Sequence, residues 1–245
     1  MKKTTLVLPF EDPRAKVFKD LANKTGRKLA FLEVLYPSDE AMDAAELPAD
    51  ASADAEKAPE VGARISWKPQ SFVSARTALI ETETRLGQAL DELVIFADPP
   101  AGPIGLAEAS QAEIEQSALD WAVAYAQLIH EALKRFLNRD GCSMVLAIKD
   151  AARGPLGSMA AGALFGLAEG LLASFSSSEM LSGAAAVAKA KSPPEKTVPF
   201  RFMAMRDESD SSEAAARQVL RMLDEDLRDS GKLQRFTGRS GFFSR

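Results

Sequence analysis

Short runs of apolar residues alternate with longer amphipathic stretches along most of the chain. The runs have the length of buried β-strands and are bounded by charged residues, proline or glycine. They cover residues 4–8, 28–35, 63–67, 90–97, 142–148 and 198–205, and the tail at 236–243 could add a last short strand. Apolar residues at helical spacing between the runs predict helices over 13–23, 71–86, 110–141, 158–175 and 212–228.

The central part of the chain, from residue 90 to 175, indicates how these elements are arranged. It contains two apolar strands joined by a helix, a connection too long for a hairpin, so the strands are expected to be parallel. The order predicts a single α/β domain over 1–245, with a Rossmann-like, doubly wound parallel sheet of six to seven strands. Ligands bind such sheets where the strands end, so Asp98, Lys149 and Asp150 mark the edge at which chemistry is expected.

Two segments interrupt this alternation. Residues 38–62 contain eight acidic residues and one lysine, a net charge of −7, and few large apolar side chains. Such a segment buries too little surface to offset its ordering entropy, so we predict a mobile acidic loop, with an acidic recognition segment as the alternative. Residues 176–197 are rich in Ala, Ser, Lys and Pro and predict a second, polar loop that is mobile in part.

Composition excludes several classes of function. A formal charge of −5 gives no basic face for nucleic acid, and the single histidine, His130, excludes a histidine-rich metal site. The single cysteine, Cys142, cannot form an intrachain disulfide, which suits a reducing, cytoplasmic location. The apolar run near the amino terminus is too short for a signal peptide and is expected to be a strand. Residues 154–175 are mostly Ala and Gly and include Glu169, which favours a buried helix over a membrane span.

Several stretches together resemble a known family. Residues 90–98 read LDELVIFAD, which resembles the LDxLVNNAG strand of short-chain dehydrogenases/reductases. The parts that follow in that family are similar to the helix at 118–137, the strand at 144–148, the glycine-rich stretch at 160–171 and the turn at 236–238. The resemblance extends in element order over nearly the whole chain, and it implies a Rossmann fold and NAD(P)-dependent oxidoreductase ancestry.

The cofactor motif of that family is absent from the matching position. In the family the first strand leads into a TGxxxGxG turn, whose glycines let backbone N–H groups approach the cofactor pyrophosphate. The three glycine positions here hold Pro9, Pro13 and Ala15, and two prolines remove N–H donors. Glu11 and Asp12 place negative charge where the pyrophosphate would lie. The chain is therefore expected to bind no cofactor, with NAD(P) held by other contacts as the alternative.

The catalytic residues that the resemblance implies are also replaced. The family uses a tyrosine as acid/base and a lysine four residues later to lower its pKa, helped by a serine. Alignment of the glycine-rich helix puts Met159–Ala161 at the tyrosine and Ala163–Phe165 at the lysine, and none of these residues transfers a proton. The serine position falls near Ile148–Asp150, Asp120 replaces the family's helix asparagine, and the two tyrosines of the chain lie in other elements.

The first functional hypothesis is therefore a pseudoenzyme with a binding or assembly role. In the family, the helices that match 110–138 and 158–175 commonly pair across a two-fold axis, and small residues allow close helix contact. This predicts a homodimer or tetramer, or a complex with a related subunit, although the glycine spacing could also reflect simple low complexity. The predicted interface residues are Tyr125, Ile129, Gly162, Gly166 and Gly170.

Two alternatives retain catalysis. One is an enzyme with relocated acid/base chemistry, and its candidate residues are Asp98, Asp120, Lys149, Asp150 and Arg153. The favoured interpretation of these residues is nevertheless that they are solvated charges that terminate strands. The other alternative is an NAD(P)-dependent short-chain oxidoreductase with atypical cofactor contacts. No metal, nucleic acid or membrane partner is expected under any of the three hypotheses.

Overall fold

Seven parallel strands form one sheet in the computed structural model, which describes residues 2–35, 62–99, 106–151, 154–176, 200–225 and 231–238. The strands are β1 (Thr4–Leu8), β2 (Lys28–Val34), β3 (Ala63–Trp67), β4 (Glu92–Ala97), β5 (Ser143–Lys149), β6 (Arg201–Asp207) and β7 (Gln234–Phe236). Their spatial order is β3-β2-β1-β4-β5-β6-β7, with every neighbouring pair parallel. The predicted Rossmann-like sheet is confirmed.

Helices cover both faces of this sheet. They are α1 (Pro13–Lys24), α2 (Phe72–Leu86), α3 (Gln111–Ser117), α4 (Ala124–Phe136), α5 (Pro155–Ser176) and α6 (Ser212–Asp224). Helices α1 and α6 contact each other on one face, whereas α2, α4 and α5 lie on the other. Successive strand residues therefore enter different cores: Leu6 and Leu8 pack beneath the second group, and Val7 packs beneath the first.

Most helices begin where a side chain satisfies their first backbone N–H groups. Ser71 caps α2, Ser211 caps α6, and Ser110 forms the predicted capping box with Glu113 at the start of α3. Helix α2 ends at Gly87, which has a φ of 68°. The local sequence thus fixes where these elements begin and end.

Several predicted boundaries differ from the structure. The predicted helix over 110–141 is divided by a π-helical turn at Ala118–Val123, and β6 ends at Asp207 instead of residue 205. Positions 198–199 of the predicted sixth strand and 239–243 of the predicted tail strand lie outside the described residues. The last strand, Gln234–Phe236, lies before most of the predicted tail strand at 236–243. Apart from Gly62 and Ser176, the predicted loops at 38–62 and 176–197 lie outside the described residues, as do positions 226–228 of the last predicted helix.

A buried carboxylate fixes the amino-terminal edge of the sheet. Glu92 on β4 is fully buried, and it accepts hydrogen bonds from Arg27 Nε at 2.7 Å and Thr5 Oγ1 at 2.7 Å. Lys3 Nζ lies 3.0 Å from its other oxygen. Burial alone would raise the pKa of Glu92, but the hydrogen bond and charge of Arg27, with help from Thr5 and Lys3, lower it below its usual value.

Helix α5 is long and apolar enough to cross a membrane on length and composition alone. Leu164, Ala168 and Leu172 of this helix instead pack in the core against β5 and β6, which is what the core helix of a globular protein does. Its opposite face, which includes Gly162 and Gly166, is exposed.

Candidate functional site

The crevice expected to bind ligands lies between β1 and β4. The chain adds β2 and β3 on one side of β1, then returns to β4 and adds β5, β6 and β7 on the other side. The connections after β1 and β4 therefore run in opposite directions and leave a crevice at the carboxyl ends of these two strands. Residues 9–14, between β1 and the first turn of α1, form one wall of it.

The start of α1 uses its backbone N–H groups within the chain. Phe10 N donates to Leu32 O at 2.8 Å, and Asp12 N donates to Pro9 O at 3.3 Å. Arg14 N donates to Asp12 Oδ1 at 2.7 Å, while Pro9 and Pro13 have no N–H group. The N–H groups of Phe10, Asp12 and Arg14 are thus already paired, and the two prolines supply none to an anionic phosphate at this helix start.

A buried ion-pair network occupies the same wall. The Arg14 guanidinium binds Asp12 through Nε at 3.0 Å and Nη2 at 2.7 Å, and it reaches Asp207 Oδ2 at the end of β6 through Nη1 at 3.0 Å. It also lies 5.3 Å from the ring centre of Phe96. Burial lowers the pKa of Arg14, but the hydrogen bonds and charges of Asp12 and Asp207 outweigh this effect and raise it above its usual value.

Phe10 covers the neighbouring end of β2. Its ring lies 4.0 Å from the guanidinium carbon of Arg64 and packs edge-to-face on Phe31, with a centroid distance of 5.8 Å. Desolvation raises the pKa of the adjacent Glu11, and the negative charge of Glu33 raises it further, against a backbone hydrogen bond and two nearby cations. A second anion beside Glu11 would add to this unfavourable field.

The structure places three of the proposed acid/base residues at the ends of neighbouring strands. Asp98 follows β4 and is exposed, and Lys149 ends β5. The Lys149 ammonium donates to the carbonyl of Ser209, and the Asp150 carboxylate accepts from Arg206 Nε at 2.7 Å. Lys149 and Asp150 therefore have structural partners of their own. Arg153 lies outside the described residues.

Asp120 is separate from this group and lies in the π-helical turn. Its carboxylate accepts from Gln116 Nε2 at 2.6 Å and from Gln70 Nε2 at 3.4 Å. Beside it in sequence, Trp121 stacks on Tyr125 with a centroid distance of 5.3 Å and an interplanar angle of 8°. Its hydrogen-bond partners thus belong to α3 and to the connection between β3 and α2.

The positions aligned with the family's catalytic tyrosine and lysine lie on α5. Met159 is half exposed, Ala160 and Ala161 are buried, and Leu164 is in the core, so this part of the helix supports packing and not proton transfer. Of the predicted interface residues, Tyr125 and Ile129 are only 3% and 2% exposed and pack in the chain's own core, which corrects their expected place on a free surface.

The glycines of the predicted interface have a different environment. A Cβ atom at Gly162, Gly166 or Gly170 would meet no atom within 4 Å of the described chain. Their face of α5 is open, and Leu119 and Val123 on the adjoining π-helical turn are each 41% exposed.

Sequence reasoning identified Asp12 but missed two functional-looking residues, Arg14 and Asp207. The sequence pattern assigns no role to Arg14, and Asp207 lies beyond the predicted end of the sixth strand. The signal available in the sequence was the Asp-Pro-Arg order at 12–14, in which an N-cap carboxylate can bind an arginine two residues later.

Comparison with known proteins shows the same fold in many solved structures. No family model matches the chain, and no curated protein matches it. An NADH-dependent reductase described as responsible for alginate metabolism has 11% identity and a TM-score of 0.68, with 97% of this chain and 96% of that chain covered. A glucose/ribitol dehydrogenase-type short-chain dehydrogenase/reductase from Brucella melitensis has 16% identity and a TM-score of 0.62, with 97% and 98% covered. A short-chain dehydrogenase from Streptomyces avermitilis has 14% identity and a TM-score of 0.63, with 97% and 88% covered.

The chain therefore has the fold of short-chain dehydrogenases/reductases along its length. That fold implies a dinucleotide across the crevice, but the residues at the start of α1 do not fit one. Phe10, Asp12 and Arg14 use their N–H groups internally, and the buried Asp12–Arg14–Asp207 network fills the space next to them with paired charge.

Proposed function

We propose that this chain is a non-catalytic protein with the short-chain dehydrogenase/reductase fold, and that it acts by binding or assembly. The observation that supports this most directly is the closed hydrogen bonding at the start of α1, where Arg14 N is bound by Asp12 and the prolines at 9 and 13 supply no donor. The lack of proton-transferring side chains at the Met159–Ala161 and Ala163–Phe165 positions supports it further.

Thermal melting with nucleotides tests the proposal. A ligand present at about 100 times its Kd stabilises the native state by about 2.7 kcal/mol, which is several degrees in a chain of this size. We expect no shift of the melting temperature with millimolar NAD⁺, NADH, NADP⁺ or NADPH, relative to sodium chloride at the same ionic strength. A clear shift with any of the four would contradict the proposal.

The assembly part of the proposal rests on the exposed face of α5. Gly162, Gly166 and Gly170 form an open row that would let another helix backbone approach closely. The same helix in a second copy offers a matching row, so a two-fold homodimer or a tetramer is the assembly that we propose, with a related subunit as the other candidate partner. The buried thiol of Cys142 is consistent with a cytoplasmic location for such an assembly.

A single substitution separates assembly from folding. Gly166→Leu fills open space in the monomer and replaces a poor helix former, so the monomer should not be destabilised. Light scattering should give a multiple of the 26.3 kDa chain mass for the wild type and the single-chain mass for Gly166→Leu. Thr77→Leu, an exposed helical position on α2, is the matched control and should keep the wild-type mass. A wild-type monomer, or an unchanged mass for Gly166→Leu, would rule out this interface.

The catalytic alternatives remain testable in the same samples. The shared fold of the reductases described above supports an NAD(P)-dependent oxidoreductase with atypical contacts, and this reading requires a nucleotide-dependent melting shift. Relocated acid/base chemistry at Asp98, Lys149 and Asp150 requires an activity that is lost in Lys149→Ala. The observed pairing of Lys149 with Ser209 and of Asp150 with Arg206 favours a structural role for both residues.

A further inference from the structure

Asp120 is a buried carboxylate without a cationic partner among the residues that the structure describes. The residue is 8% exposed, and the two hydrogen bonds that its oxygens accept come from the neutral amides of Gln70 and Gln116. No lysine or arginine of the described chain forms an ion pair with it. The other described buried carboxylates all have a cationic partner: Asp12 and Asp207 bind Arg14, Glu92 binds Arg27, and Glu131 binds Lys134. Buried charges are ordinarily paired, so a cation bound beside Asp120 would compensate its charge.

Three aromatic rings lie in the same region. Trp121 follows Asp120 in the π-helical turn and stacks on Tyr125, and Tyr125 packs edge-to-face on Trp67 at 5.7 Å between centroids. Trp67 ends β3, three residues before the Gln70 that binds Asp120. We call Trp67, Asp120, Trp121 and Tyr125 the aromatic–carboxylate cluster. Trp121 is only partly buried, so the cluster reaches the surface at this ring.

A second, independent observation concerns the buried indole of Trp67. Trp67 is 1% exposed, yet its Nε1–H has no hydrogen-bond acceptor within the described part of the chain. A buried, unmade hydrogen bond costs about 1–3 kcal/mol, which an acceptor on a ligand would recover. The turn itself is π-helical, a local expansion of the helix that is frequent at functional sites.

We propose that the aromatic–carboxylate cluster binds a quaternary ammonium compound that also carries a hydrogen-bond acceptor. Asp120 supplies the counter-charge, the face of Trp121 offers a cation–π contact, and the Trp67 indole N–H donates to the acceptor. Aromatic rings beside a carboxylate are the side chains that recognise such cations, because a quaternary ammonium group has no N–H to donate and is held by charge and ring faces. None of its four residues belongs to the start of α1, so the choline test below is separate from the nucleotide test above.

Tryptophan fluorescence reports on this site alone, because the chain has only two tryptophans and both belong to the cluster. Choline is the probe, since it combines a quaternary ammonium group with a hydroxyl acceptor. Its control is the uncharged alcohol in which carbon replaces the nitrogen. We expect a saturable fluorescence change with choline and binding of the alcohol that is weaker by about tenfold or more. Equal responses to the two compounds, or no saturable response to choline, would overturn the proposal.

Two variants locate the binding. Asp120→Asn keeps the size of the side chain and removes its charge, and it should abolish the choline response. Glu115→Gln removes an exposed carboxylate from the preceding helix α3 and should leave the response unchanged. An unaltered titration in Asp120→Asn would refute the assignment of the counter-charge. If Asp120→Asn does not fold, the comparison of choline with its uncharged analogue in the wild-type protein still tests whether the site prefers a cation.

Discussion

Replacing Asp207 by asparagine should destabilise the protein strongly. The Asp207 carboxylate is fully buried, and it accepts from Arg14 Nη1 at 3.0 Å, from Ser209 N at 3.0 Å and from Ser209 Oγ at 2.6 Å. An asparagine amide keeps one acceptor oxygen and turns an N–H₂ group toward the remaining donors. Arg14, itself 4% exposed, would then retain only Asp12 as its charged partner.

The size of the expected loss in the free energy of unfolding follows from the cost of breaking a buried ion pair. Removal of one partner of such a pair costs about 3–5 kcal/mol, because an uncompensated charge stays in the interior. For a chain of this length, that loss lowers the melting temperature by about 6–20 °C. Urea unfolding followed by circular dichroism measures the change in the free energy of unfolding directly, provided that the slope of the transition is preserved.

A double-mutant cycle separates the pair from the rest of the site. Arg14→Met and Asp207→Asn together should cost less than the sum of the two single changes, by about 1–3 kcal/mol. A cost below about 1 kcal/mol for Asp207→Asn, or additive effects in the cycle, would show that the Arg14–Asp207 contact is not an energetically coupled element.

Two further predictions concern the edges of the sheet. The pKa of Glu92 is lower in the folded chain than its unfolded value of 4.5, so its stabilising effect is complete above pH 4.5 and is lost as the pH falls through the folded pKa. Glu92→Gln should therefore leave Arg27 with Asp224 as its remaining described ion-pair partner at neutral pH. The stability of this variant should also depend less on pH in the acid range, which urea unfolding at a series of pH values measures. An unchanged pH dependence would contradict this. Gly238 has a φ of 71°, and a Cβ atom at this position would lie 2.6 Å from the Cβ of Ser209. Gly87 has a similar φ of 68°, but a Cβ atom there would meet no atom within 4 Å. Gly238→Ala should therefore lower the melting temperature more than Gly87→Ala. Equal effects of the two alanines in differential scanning calorimetry would show that the contact with Ser209 relaxes freely.

The sheet and its helices followed from the sequence because their signals are local. The short run of β1, in which every residue is buried, and the serine caps of α2 and α6 depend on residues within one strand or one turn. The prediction that residues 9–13 do not form a phosphate-binding turn likewise depended on which residues lack an N–H group. Whether a nucleotide binds by other contacts stays a prediction.

The remaining features depend on contacts that sequence spacing does not encode. The apolar stripe of α4 correctly indicated that Tyr125 and Ile129 are covered, but periodicity cannot say whether the chain or a partner covers them, and the chain does. The π-helical turn at Ala118–Val123 consists of residues that also suit a regular α-helix. Trp67 and Asp120 are brought together only by the tertiary structure, through Gln70.

The link between Arg14 and Asp207 joins positions 193 residues apart. During synthesis, α1 is complete long before β6 leaves the ribosome, and throughout that interval the guanidinium can be shared only with Asp12. The first helix therefore cannot adopt its final electrostatic environment until the sixth strand has been translated. During synthesis the crevice wall can therefore be completed only after β6 has been translated, although the residues at the start of α1 are among the first to be made.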